Sequence, residues 1–288
     1  MAATGSELMS IRFERPESID EATRLLAAGS WAVLAGGTDL YPAHVGRPMA
    51  APLLDVTAIA ALRGIRRDAR GWSIGATTTW SDVARAELPP LFDALRAAAR
   101  EVGGAQIQNT GTVAGNLCNA SPAADGAPVL MALGASAVLR SERGERELPV
   151  EQFVLGNRRT ARAVDELLIG VRVPARGAAA RSAFIKLGGR RYLTISMTMV
   201  AVVLDVDATG TVAYAGVAVG SCAAMARRLP RLEMRLLGRP VGSDLGALVE
   251  PADLAPLTPI DDLRASAGYR RDATSTLLSR ALRALAAS

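Results

Sequence analysis

The spacing of apolar positions along the chain switches between a helical period of roughly 3.6 and a strand period of about two, and each switch marks an element boundary. Ser18 and Glu21 stand at capping-box spacing ahead of apolar residues at helical intervals, which predicts a helix through Ala28 closed by Gly29. Residues 31–35 follow as a short apolar run suited to a buried strand, and residues 53–56 and 72–76 read the same way. An amphipathic helix is expected over 91–102, a hairpin over 138–148 turning at Glu142, Arg143 and Gly144, and a strand over 167–173. Residues 174–180 are rich in Pro, Gly and Ala and read as a linker. Beyond it, residues 182–186, 195–205 and 211–221 form a second β region, the last two joined by a turn at 207–210. The final helix repeats Thr274, Leu277, Leu278, Ala281, Leu282 and Leu285 on one face, a stripe read as core packing.

Two interruptions of this pattern carry the candidate chemistry. After the run at 31–35, Gly36 and Gly37 make a turn, followed by the hydroxyl of Thr38 and the carboxylate of Asp39, which can hold the turn or contact a sugar hydroxyl. Taken alone, such a turn more often marks a plain connection than a ligand site. The second interruption, residues 111–125, combines Gly111 and Gly115 with Thr112, Asn116, Asn119 and Ser121, just after Thr110. Ser121 and Pro122 predict the N-cap and first position of a helix that continues through the apolar residues 127–133, a natural anion site. Asp125 falls in its first turn, where the helix dipole favours a negative charge with or without a ligand. Successive small residues leave backbone N–H groups open to an anion, so the two stretches together read as a nucleotide site. Neither is a GxGxxG fingerprint or a GxxxxGK[ST] phosphate loop.

Composition narrows the chemistry. With 288 residues the chain can build one large or two ordinary domains, and 50% hydrophobic with only 4% aromatic residues fits packed helix and sheet layers. The net charge of +5 is spread over scattered arginines with no basic stripe interleaved with aromatics, which argues against nucleic acid. Of 33 cationic side chains Lys186 is the only lysine, which suggests a place for a compact ammonium, the other reading being a solvated strand edge. Cys118 and Cys222 supply neither a disulfide framework nor a metal site; Cys118 either lines a cofactor pocket or is a small buried residue. His44 has no second ligand nearby and reads as a surface histidine, so no metal-binding residue is expected. There is no Ser/His/Asp or Cys/His set and no evident carboxylate pair, so no catalytic side chain is expected and a cofactor has to carry any reaction. Residues 1–10 are short and mixed, with no long apolar span, and the expected compartment is the cytoplasm.

The two glycine-rich stretches, with FIKLGGRR at 184–191 and GYRRDATSTLLSRAL at 268–282, resemble the FAD-binding medium subunit of the molybdenum hydroxylases. These are the xanthine, aldehyde and carbon monoxide dehydrogenase relatives, and the resemblance runs from about Ile11 to the last helix. It implies an α+β fold: a two-lobed FAD-binding domain of the p-cresol methylhydroxylase and vanillyl-alcohol oxidase type over residues 1–175, then a C-terminal antiparallel sheet with packed helices over 176–288. It implies that Val33, Leu34, Ala35, Gly36, Gly37, Thr38, Asp39 and Leu40 wrap the FAD pyrophosphate. Gly111, Thr112, Val113, Ala114, Gly115 and Asn116 would lie against the phosphates and ribityl chain, Asp125 would hold the adenosine part, Val102 and Leu168 would make apolar contacts, and Lys186 would lie near the flavin. Ala114 stands where glycine is usual, so its methyl must be tolerated, and a positive φ there would be strained. Tyr192 can lie over the flavin ring or pack on its own sheet.

The same resemblance implies an oxidoreductase subunit. A molybdenum centre, with its molybdopterin cofactor, in a large partner subunit would hydroxylate the substrate with water as oxygen source. Two [2Fe-2S] clusters in a small partner subunit would feed electrons to FAD in this chain, and an external acceptor such as NAD, quinone or oxygen would take them, in a dimer of heterotrimers. Two other classes stay open: a self-sufficient FAD-dependent oxidase or reductase of the same fold, with His44 and Cys118 as nearby attachment candidates, and a non-catalytic scaffold. GNRRT at 156–160 resembles segments of purine-oxidising relatives.

Overall fold

A computed structural model describes residues 12–47, 49 and 51–287; residues 1–10, expected to be short and mixed, lie outside the described residues. The fold begins with a small parallel sheet in which Leu53–Asp55 lies between Phe13–Glu14 and Ala32–Leu34. Parallel neighbours need a crossover, and helix Ile19–Ala28 supplies it between the two outer strands. Its start follows the predicted cap: Ser18 Oγ accepts the Glu21 N–H at 3.2 Å.

A five-stranded antiparallel sheet follows, in the order Ile65–Asp68, Gly71–Gly75, Leu167–Pro174, Ser136–Ser141, Gly144–Pro149. Its last two strands are the hairpin expected around Glu142 and Arg143. Strand Ile65–Asp68 is not among the expected elements, because it is arginine-rich, mostly exposed and carries no apolar period. The chain between the second and fourth of these strands forms helices, among them Asp93–Glu101, Val113–Asn119 and Gly126–Ala132. The helix expected over 91–102 is shorter than its pattern: Pro89 and Pro90 confine residues 90–92 to a 3-10 turn, and regular helix starts at Asp93.

The third sheet is antiparallel, in the order Arg181–Gly188, Ser196–Val206, Val212–Gly220, Arg227–Arg228. Strand Ser196–Val206 is buried on both faces. Ala201 and Val203 join the core shared with the first two sheets, while Val200, Val202 and Leu204 face a second core with helices Pro230–Leu236 and Ala267–Ala286. This two-sided burial explains why the segment reads as a continuous apolar run rather than an alternation. Leu277, Leu278, Ala281, Leu282 and Leu285 of the last helix fill that second core, in agreement with the predicted stripe.

The third sheet sits directly on the rest. A Cβ placed on Gly216 would come within 1.9 Å of the Ala132 carbonyl oxygen, to which the Tyr214 hydroxyl also donates at 2.8 Å. Ser182 Oγ accepts the Ala94 N–H at 2.9 Å and donates to the Leu91 carbonyl at 2.7 Å, closing the other side of the seam. Mixed helix and sheet in these three layers is the expected α+β architecture.

Candidate functional site

Strand Ala32–Leu34 delivers the first glycine-rich segment to the wall of a cleft of about 570 Å³, within the range that holds small-molecule ligands. The second segment forms the opposite wall, and the two touch backbone to backbone. A Cβ on Gly36 would lie 2.0 Å from the Thr110 carbonyl oxygen and 2.9 Å from Gly111 Cα, so only glycine permits this approach. The N–H groups of Gly36, Gly37, Thr38 and Asp39 donate to no other group among the described residues. Four successive free donors on the wall of a cleft, half-buried and facing the same space, suit an anion.

The second segment is more ordered than its composition implies. Residues 105–119 form two short helices, Ala105–Thr110 and Val113–Asn119, with Thr112 as the N-cap of the second. Thr112 Oγ1 accepts the Gly115 N–H at 3.0 Å, and the Val113 N–H donates to Thr78 O at 3.0 Å. Two amides at this helix start are therefore occupied, which shifts most of the anion-binding capacity to the first segment. Ala114 sits in ordinary helical backbone, is 5% exposed and has no positive φ, so its methyl introduces no strain. Thr79 and Asp82 form a capping box at the head of helix Trp80–Arg85, and the Trp80 N–H donates to Gly111 O at 3.1 Å, fixing the segment from below.

The expected helix start at Pro122 is not formed. Ser121 Oγ accepts only the Ala123 N–H, at 3.3 Å in a turn, and the helix begins at Gly126. Asp125 takes the N-cap place without capping, because its carboxylate is used elsewhere. Lys186 Nζ donates to Asp125 Oδ2 at 2.9 Å and to the Glu101 carbonyl at 3.2 Å, and Ser196 Oγ donates to Asp125 Oδ1 at 3.4 Å. Burial pushes the Asp125 carboxyl up to about 6, the Lys186 charge and hydrogen bond pulling it part of the way back. Lys186 does lie on an edge strand, yet its side chain is only 7% exposed, so the solvated-edge reading does not hold.

Residues 33–40, Val102, Gly111, Thr112, residues 114–116 and Leu168 all line this one cleft. Val113 does not; it points into the core at 1% exposed. Asp125 and Lys186 line no part of it and meet each other instead. Tyr192 is 64% exposed. Asn116 Oδ1 is buried without a partner beside the second segment, an acceptor awaiting a donor.

Several lining groups are not among the expected cofactor-binding residues, notably Trp80, Ile107, Arg162 and Arg158, the last of which falls within the GNRRT segment at 156–160. Arg158 forms a two-pronged bridge to Asp39, Nη1 to Oδ2 at 2.9 Å and Nη2 to Oδ1 at 3.3 Å. Arg162 Nη1 donates to the carbonyls of Ala163 and Glu166. Cys118 also lines the cleft, and burial pushes its thiol up to about 11 against the opposing pull of Arg162. His44 Nδ1 lies 2.8 Å from the Leu40 carbonyl.

The donor set is backbone amides with flanking apolar walls, which fits a dinucleotide with a diphosphate at its middle and a flat ring at one end. Residues 9–176 match the family model described as the FAD binding domain in molybdopterin dehydrogenase, and residues 182–285 match the CO dehydrogenase flavoprotein C-terminal domain. The chain is 34% identical over 279 residues to the caffeine dehydrogenase subunit beta of Pseudomonas sp. (strain CBB1), covering 93% of this chain and 92% of that one. It is 32% identical over 284 residues to the carbon monoxide dehydrogenase medium chain of Hydrogenophaga pseudoflava, covering 95% and 96%. A solved structure of carbon monoxide dehydrogenase from the same organism, lacking the Mo-pyranopterin moiety of the molybdenum cofactor, matches with a TM-score of 0.83 at 30% identity over 96% of this chain and 97% of that one.

Proposed function

This chain belongs to the FAD-binding medium-subunit family of the molybdenum hydroxylases, and from that premise we propose that it carries electrons from iron–sulfur clusters of a partner subunit to an external acceptor. The observation that carries the reading is the row of four free N–H groups at residues 36–39 on a cleft wall that the second glycine-rich segment closes. These amides would donate to the diphosphate oxygens of FAD, a charge-assisted contact stronger than a neutral one. Asn116 Oδ1 would accept from a hydroxyl of the sugar chain, and Val102, Ile107 and Leu168 would shield the flat ring from water. Bound FAD would supply the electron exchange.

The roles of Asp125 and Lys186 change in this proposal. Their pairing outside the cleft supports a positioning role, in which Lys186 ties Glu101, next to the cleft residue Val102, to Asp125 at the head of helix Gly126–Ala132. The proposed complex contains a large molybdenum subunit and a small subunit with two [2Fe-2S] clusters, assembled as a dimer of heterotrimers in the cytoplasm. The proposed domain division lies between residues 175 and 176, supported by the break between strands Leu167–Pro174 and Arg181–Gly188. Among the described residues no helix is long and apolar enough to cross a membrane.

The test is flavin absorbance of the purified chain, followed by turnover with and without its partners. A yellow chain that is inactive alone and active in the complex is the expected result. A colourless chain that takes up no added FAD removes the proposal, and turnover by the chain alone moves it to the self-sufficient oxidase class.

A further inference from the structure

Asp39 is an anomaly in the diphosphate cradle. It contributes a free backbone N–H to the row at 36–39, yet its side chain brings a negative charge to the same cleft wall. It also occupies the N-cap place of helix Leu40–Ala43 without capping it. An aspartate in that place ordinarily turns back onto the N–H groups of its own turn. Here the carboxylate is held across the cleft by both prongs of Arg158, at 2.9 and 3.3 Å.

Arg158 is built to reach that position. It sits at the tip of the hairpin formed by Val154–Gly156 and Arg159–Thr160, with φ at +53, a left-handed conformation that disfavours an arginine. The hairpin is anchored behind the tip, where the Ala161 N–H donates to Phe153 O at 2.8 Å and Arg146 Nη2 donates to Ala161 O at 2.9 Å. Arg146 is fixed in turn by two bonds to Glu166, at 2.6 and 2.8 Å. A bridge whose side chains are 58% and 43% exposed adds little to folding stability, so its consequence lies with the ligand.

We propose that Arg158 is a positioning residue for the dinucleotide: it neutralises Asp39 and holds the carboxylate away from the amides of residues 36–39, leaving them free for a diphosphate. This deepens the FAD reading and rests on it. Without Arg158, the Asp39 carboxylate repels the incoming diphosphate and competes with it for the same donors.

The experiment is a titration of the full chain, stripped of flavin, with FAD, at low and moderate salt. Arg158→Ala weakens binding roughly tenfold at low salt, and the deficit shrinks as salt rises, because screening replaces part of the masking. Arg158→Lys, which keeps the charge, retains most of the affinity. Adding Asp39→Asn to Arg158→Ala restores affinity to within about threefold of the parent, since asparagine keeps an oxygen but removes the charge. Parent-like affinity in Arg158→Ala overturns the proposal. So does a double variant as weak as Arg158→Ala, which assigns Arg158 to direct phosphate contact. A parent chain that takes up no FAD instead sinks the broader functional reading, so the two failures are distinct.

Discussion

The ammonium of Lys186 and the carboxylate of Asp125 form an ion pair at 2.9 Å in which both side chains are more than nine-tenths buried. The pair joins an edge strand of the third sheet to the start of helix Gly126–Ala132, with Glu101 O and Ser196 Oγ completing the set. Buried pairs of this kind are more sensitive to the loss of one member than to the loss of both.

Lys186→Met leaves the carboxylate buried with only Ser196 as donor and is expected to lower stability by about 3–5 kcal/mol in chemical denaturation. The double variant Asp125→Leu with Lys186→Met removes the orphaned charge and recovers much of that loss. A single variant as stable as the parent contradicts the burial argument.

Asp125 also sets a pH dependence. Its folded carboxyl titrates at about 6, above the ordinary value of 3.8, so between these values the folded state holds more protons than the unfolded one. Its stabilising contribution is complete below about pH 4 and is lost as pH rises through about 6. Across that window the parent is expected to lose up to about 3 kcal/mol relative to Asp125→Asn, measured by denaturation of both at several pH values.

Gly36→Ala places a methyl 2.0 Å from the Thr110 carbonyl oxygen, where backbone rather than a flexible side chain must move. The two walls are forced apart at a cost of about 1–3 kcal/mol, and flavin retention falls with it. Flavin content after gel filtration, alongside a melting curve, reads both effects.

Cys118, with its thiol pushed up to about 11, is expected to resist alkylation at pH 8, where only about one thiol in a thousand is ionised. Cys222, fully buried at 0% exposed, is expected to resist as well. Mass spectrometry after maleimide treatment checks this: no label on the native chain, two labels in denaturant.

Arg270 is 3% exposed and donates to the carbonyls of Met197, at 2.6 Å, and Ser221, at 3.2 Å, and to Asp262, at 2.7 Å. Arg270→Met removes donors from three chain segments at once and is expected to lower stability by about 2–4 kcal/mol. Its melting temperature, compared with that of the exposed-site control Arg66→Met, separates this from general loss of charge.

Local features are legible in the sequence and long-range ones are not. Ser18 and Glu21, the apolar run before Gly36, and the hairpin around Glu142 depend on neighbours a few residues away, and each forms as its spacing predicts. The helix begins at Gly126 rather than Pro122, although Ser121 and Pro122 satisfy the local rule, and Asp125 is drawn off by Lys186, 61 residues later. Within the glycine-rich stretch at 111–125 no helix is expected before Pro122, since Gly, Asn and Thr are weak helix formers, yet Val113–Asn119 is helical. Thr112 capping and the contact of Trp80 with Gly111 override that preference. The capping box of Thr79 and Asp82 is itself a local pattern, and it marks a helix that apolar spacing alone leaves unmarked. Arg158 is found only in three dimensions, because its partner Asp39 lies 119 residues away.

The contact of Gly216 with Ala132 has a mechanical consequence. Main chain meets main chain there beside the Tyr214 hydroxyl, and Ala201, Val203 and Ala218 pack into the shared core around it. Tilting the C-terminal sheet about this point would either drive an α-carbon into a carbonyl or open a void, and both are costly. A protein docked on that sheet would hold the cleft at a fixed distance and angle, as a tool is held by its handle.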